Sequence, residues 1–76
     1  MTRTANDSKT LIDLGARIVY LRKKKKISQL TLSYLAEVSK TYLSDLERGR
    51  RNPSVLVLRR IAEALKVQLA DLFIVS

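Results

Sequence analysis

The sequence predicts an all-α domain. Apolar residues recur at helical spacing in segment after segment, serines stand where helix N-caps belong, and no stretch shows the two-residue alternation of a half-buried strand. There is no internal repeat, so these helices must close around one core.

Residues 1–9 are polar and without period, which reads as a flexible N-terminal arm ahead of a single domain spanning residues 10–76. From Thr10 the pattern changes. Leu11, Leu14, Ile18 and Leu21 define a first helix of about 13 to 15 residues. It ends in Lys23, Lys24, Lys25 and Lys26, cations placed at the negative end of the helix dipole.

The next stretch, Ser28 to Gly49, carries the densest local signals. Ser28 and Ser39 each stand where a hydroxyl can accept from orphan backbone N–H groups at a helix start. Each has an apolar residue just before it and another at the fourth helical position, Ile27 with Leu32 and Val38 with Leu43, the spacing of a hydrophobic staple. Two stapled helix starts eleven residues apart leave room for one short helix and a tight turn. Gly49 suits the left-handed residue that closes a helix, and the basic run Arg50, Arg51, Asn52 follows at once. This is the layout of a helix-turn-helix, whose second helix lies in the DNA major groove. The lysine run before it is then either a solvated helix end or a contact to the DNA backbone.

Arg50 to Pro53 form a loop and Ser54 caps a fourth helix, with Val55, Leu58, Ile61, Ala62 and Leu65 as its buried stripe. A last short helix starts near Gln68, where Val67 and Leu72 repeat the staple spacing.

Seventy-six residues lie near the size at which a single core is marginal without help. Cysteine and histidine are absent, which excludes disulfides and the usual zinc sites, so a partner subunit is the expected source of added stability. A formal charge of +8 points to a polyanionic partner, either nucleic acid or an anionic membrane surface. No apolar run approaches a membrane span and the N-terminus lacks an apolar signal core, so the chain reads as cytoplasmic. An enzyme is not expected, since there is neither His nor Cys, nor a phosphate-cradling glycine loop. The alternative to a DNA-binding function is a protein-interaction or membrane-surface adaptor. It would use the basic first helix and the outward apolar pairs Leu30 with Tyr34 and Leu56 with Val57.

The segments LGARIVYLRKKKKISQ, LSYLAEVSKTYLSDLERGRRNPS and LRRIAEALKVQLADLF resemble the Cro/phage-repressor (XRE-like) helix-turn-helix regulators over residues 11–73. The run KTYLSDLERGRRNPS is also similar to the controller proteins of restriction–modification systems, a subset of that family. The resemblance implies a five-helix, lambda-repressor-like domain and a transcription regulator that binds double-stranded DNA. It also implies a structural salt bridge between Arg22 on the first helix and Glu47 on the third. The chain departs from the family at its turns, with Glu37, Lys26 and Lys66 where glycine is usual. A left-handed residue other than glycine costs about 1 kcal/mol, and positive φ is expected at Glu37 or its neighbours.

Within this frame Ser39, Lys40, Thr41 and Ser44 are candidates for base contact from the recognition helix, Leu43 and Leu46 taking its inner face. Lysine can donate to guanine O6 and N7, and threonine can offer its hydroxyl or touch a thymine methyl. Tyr42 is a further candidate through its hydroxyl. Asp45 is read as pairing with Arg48 one turn on, the other reading being an acceptor for cytosine N4. Gln29, Arg50, Arg51 and Asn52 are candidates for the phosphate backbone. The tail is expected to form a homodimer interface through Leu69, Phe73, Ile74 and Val75, placing two recognition helices on a palindromic operator. No cofactor, metal or small-molecule ligand is expected.

Overall fold

The computed structural model describes residues 4–74. Four α-helices follow one another, α1 (Ala5–Lys24), α2 (Gln29–Leu35), α3 (Lys40–Glu47) and α4 (Val55–Leu65), and a 3-10 helix (Leu69–Phe73) closes the chain. The fifth element is thus a single tight 3-10 segment, and the architecture is four α-helices with no strand among the described residues.

α1 starts earlier than expected. Thr4 and Asp7 form a capping box, Asp7 N–H donating to Thr4 Oγ1 at 3.0 Å and Thr4 N–H to Asp7 Oδ2 at 3.2 Å. Residues 5–9 are therefore the first turns of a 20-residue helix and not an arm, and the boundary drawn at Thr10 falls inside it. A Lys9–Asp13 ion pair at 2.7 Å adds a small i,i+4 stabilisation of the same turns.

The three tight turns are built to one pattern. Lys26, Glu37 and Lys66 each take a left-handed conformation, with φ of 59, 59 and 57°. Each is followed by an apolar residue, Ile27, Val38 or Val67, and then by the next N-cap, Ser28, Ser39 or Gln68. The amide of the left-handed residue and that of the apolar residue return to carbonyls of the helix just ended. Glu37 N–H donates to Tyr34 O at 3.2 Å and Val38 N–H to Ser33 O at 3.0 Å, and the same pair of bonds recurs at Lys26 with Ile27 and at Lys66 with Val67. This is the Schellman arrangement, which satisfies helix-end carbonyls. Ile27, Val38 and Val67 all pack against the buried cluster. One apolar residue thus serves the end of one helix and the start of the next.

Gly49 (φ 77°) ends α3 in the same way, Gly49 N–H donating to Leu46 O and Arg50 N–H to Asp45 O. Both glycines also lie where α1 meets α3. A Cβ on Gly15 would stand 2.5 Å from the carbonyl oxygens of Leu46 and Glu47, and one on Gly49 would stand 2.9 Å from Ile12 Cα. The two backbones touch there because no side chain intervenes.

Ile18, Leu32, Leu43, Leu46, Ile61 and Leu72 are fully buried, one or more from every element. α4 departs from the expected stripe only in its first turn. Leu58, Ile61, Ala62 and Leu65 face in, but Val55 is 67% exposed and Val57 packs on the core. Val55 is in the first helical turn, beyond the edge of the globule, so the stripe begins at Val57 and Leu58. Leu56, Leu30 and Tyr34 are exposed, as the outward apolar reading required, and Val57 is not.

Candidate nucleic-acid interface

The second helix of the central pair is set by its cap and its two buried leucines. Ser39 Oγ accepts from Tyr42 N–H at 3.0 Å, and Leu43 and Leu46 are wholly buried. This leaves Ser39, Lys40 and Thr41 exposed at the N-terminal end of α3, while Ser44 is partly covered. Arg48, Arg50, Arg51 and Asn52 are exposed where the chain leaves the helix. Basic groups therefore stand just beyond its C-terminal end, with short polar side chains and Lys40 at the other.

Tyr42 is half-buried against the core, and the Arg51 guanidinium lies over its ring, 5.3 Å from the centroid. Asp45 does not pair with Arg48. Its Oδ2 lies 3.5 Å from Arg51 Nη2. The loop after Gly49 turns back along α3 and brings Arg51, six residues on, to the carboxylate, a return that i,i+3 spacing on a helix does not anticipate.

Behind the exposed face, α3 is braced to α1 and α2. Arg22 donates to Glu47 through Nε (2.8 Å) and Nη2 (3.1 Å), and through Nη1 to Ile27 O (3.1 Å). Gln29 Nε2 donates to Glu47 Oε1 at 2.8 Å. The Glu47 side chain is 4% exposed and that of Arg22 13%. The amide nitrogen of Gln29, read as a phosphate donor, is thus turned to Glu47. The Gln29–Glu47 bond is a tie between α2 and α3 that sequence spacing gave no sign of. Its carboxylate partner was legible only through the family pairing of Arg22 with Glu47. Arg60 Nε similarly donates to Ala36 O at 3.0 Å, securing the C-terminal end of α2 to α4.

At the tail, Phe73 (53%) and Ile74 (50%) are exposed, whereas Leu69 packs against the core. Val75 lies outside the described residues. No helix among the described residues is long and apolar enough to cross a membrane.

A short capped helix and a tight turn, followed by a second helix whose polar N-terminal end is bare and whose C-terminal end is followed by arginines, define a DNA-binding helix-turn-helix domain of the transcription-regulator class. The chain belongs to the helix-turn-helix family, whose model matches residues 18–72. It is 42% identical over 57 residues to the immunity repressor protein of Bacillus phage phi105, a match over 75% of this chain but only 40% of that protein. It is 36% identical over 69 residues to the control protein C.MunI of a Mycoplasma species, covering 90% of each. Among solved structures it is similar to the restriction-modification controller protein C.AhdI from Aeromonas hydrophila, with a TM-score of 0.82 and 36% identity over 83% of this chain and 96% of that one. The chain spans about 40% of the length of the phage repressor it matches.

Proposed function

We propose that this protein regulates transcription as a homodimer on a palindromic operator, and that it is the controller of a restriction–modification system. The observation that carries the DNA-binding reading is the bare polar end of α3, Ser39, Lys40 and Thr41, on a helix anchored at its other end by the buried Arg22–Glu47 pair. Lys40 and Thr41, with Ser39, Tyr42 and Ser44, contact base edges in the major groove. Arg50, Arg51 and Asn52 clamp the phosphate backbone, and Gln29 contributes once its amide turns from Glu47. Similarity to the control protein C.MunI and the controller C.AhdI over most of their lengths supports the controller role. Exposed Phe73 and Ile74 supply the apolar surface for the dimer.

Selection of bound duplexes from a random pool tests this. The expected product is a palindrome with half-sites about one helical turn, roughly 34 Å, apart. Enrichment of no sequence, or of a single asymmetric half-site by a protein that stays monomeric, would overturn it.

A further inference from the structure

The face of α3 that carries Lys40 and Thr41 also carries an acid. Thr41 and Asp45 are four residues apart and lie together on the side opposite the buried Leu43 and Leu46. Glu47, the other carboxylate of α3, is turned inward and satisfied by Arg22 and Gln29. Asp45 has no such withdrawal. It stays on the outer face, 26% exposed, with Arg51 beside it.

A carboxylate on a surface that approaches phosphates is repelled by them unless a cation accompanies it or a donor meets it. Arg51 is the cation, 3.5 Å from Oδ2 and stacked over the Tyr42 ring. The donor must come from the groove floor. There a carboxylate accepts from the exocyclic amine of cytosine, and it is actively repelled by guanine O6 and N7 or thymine O4. Rejection of the wrong base by repulsion adds to the discrimination that an attractive contact supplies.

We infer that Asp45 is a specificity-determining residue of the DNA site: paired with Arg51 in the free protein, it exchanges that partner for a cytosine N4 amine in each half-site, releasing Arg51 to the phosphates, and rejects pairs that present an acceptor there. This rests on the DNA-binding reading given above. In the same arrangement Asp45 limits binding to other sequences, because it keeps Arg51 from the phosphates until the cytosine is in place.

The experiment uses the full chain and the operator that it selects. Asp45→Ala and Asp45→Asn are compared with the unaltered protein by selection and by salt titration, with thermal melts to show that each folds. Discrimination at one base pair of each half-site is expected to fall about tenfold in Asp45→Ala. Affinity for random duplex should rise, with the salt dependence steepening by about one phosphate equivalent as Arg51 is freed. Placing 2-pyrimidinone, which lacks the N4 amine, at the preferred cytosine should weaken the unaltered protein and leave Asp45→Ala unchanged. An unaltered protein that selects an operator while both variants select the same one, equally sharply, would overturn the role of Asp45 alone. So would equal sensitivity of all three proteins to 2-pyrimidinone. An unaltered protein that selects no sequence would overturn the DNA-binding reading and this inference together.

Discussion

Arg22 and Glu47, 25 residues apart in the chain, meet through two hydrogen bonds of 2.8 and 3.1 Å in a nearly solvent-free pocket between α1 and α3. A pair so placed contributes little net stability over an apolar pair of the same shape, but losing one member strands the other without water. Arg22→Ala or Glu47→Ala should each destabilise the fold by about 3 kcal/mol, and Arg22→Ala with Glu47→Ala should lose clearly less than the sum. Denaturant melts of the four proteins measure this, and strict additivity would show that the two residues act independently.

Gly15 sets two preferences against each other. Alanine is favoured over glycine inside a helix by about 1 kcal/mol. Yet its Cβ at this position would lie 2.5 Å from two backbone carbonyl oxygens of α3, which cannot swing aside as a side chain would. Overpacking of this kind costs about 1 to 3 kcal/mol, so Gly15→Ala should lower the melting temperature. A higher melting temperature would mean that α1 and α3 separate freely.

The left-handed turns give the opposite expectation. Lys66 sits at φ 57° and is exposed at the end of α4. Lys66→Gly relieves about 1 kcal/mol of backbone strain and returns part of it through a freer unfolded chain. A small net gain should appear as a raised melting temperature with unchanged DNA binding. Lys26→Gly should behave alike in stability, and a loss at both positions would contradict the strain argument.

On DNA, Lys40→Ala should relax preference at one base pair per half-site by about 1 to 3 kcal/mol. Arg50→Ala should weaken every sequence alike and flatten the salt dependence. Competition assays on single-substituted operators separate the two patterns, and uniform losses in both variants would remove Lys40 from base readout.

Phe73→Ala with Ile74→Ala should shift sedimentation at micromolar concentration toward monomer, because these two side chains are half exposed at the end of the 3-10 helix. A double variant that dimerises normally would place the interface elsewhere.

How much of this was legible depended on how local the cause was. Ser28, Ser39 and Ser54 cap their helices because a hydroxyl at that spacing has one obvious use, and Gly49 ends α3 for a reason contained in its own φ. The positive φ of Glu37 was readable once glycine was missed from a turn of that length. Thr4 and Asp7 carry the same kind of capping signal, yet the polar residues after them hid a helix whose first turns bury little. Val55 and Val57 were exchanged because the start of an apolar stripe depends on where the globule ends, which periodicity does not contain. Asp45 with Arg51 and Gln29 with Glu47 were illegible from spacing, since each pair is joined by the path of a loop or by the packing of two helices.

The shared use of Ile27, Val38 and Val67 by successive helices restricts where this chain can change length. One residue inserted beside any of them would separate the end of one helix from the start of the next, displacing a staple and a cap together. The segment from Arg51 to Pro53 has no such double duty, and it lies outside every helix. Insertions between Asn52 and Pro53 should therefore leave the domain folded, and their effect should fall on DNA binding, through the contacts of Arg51 with Asp45 and Tyr42, and not on the helices.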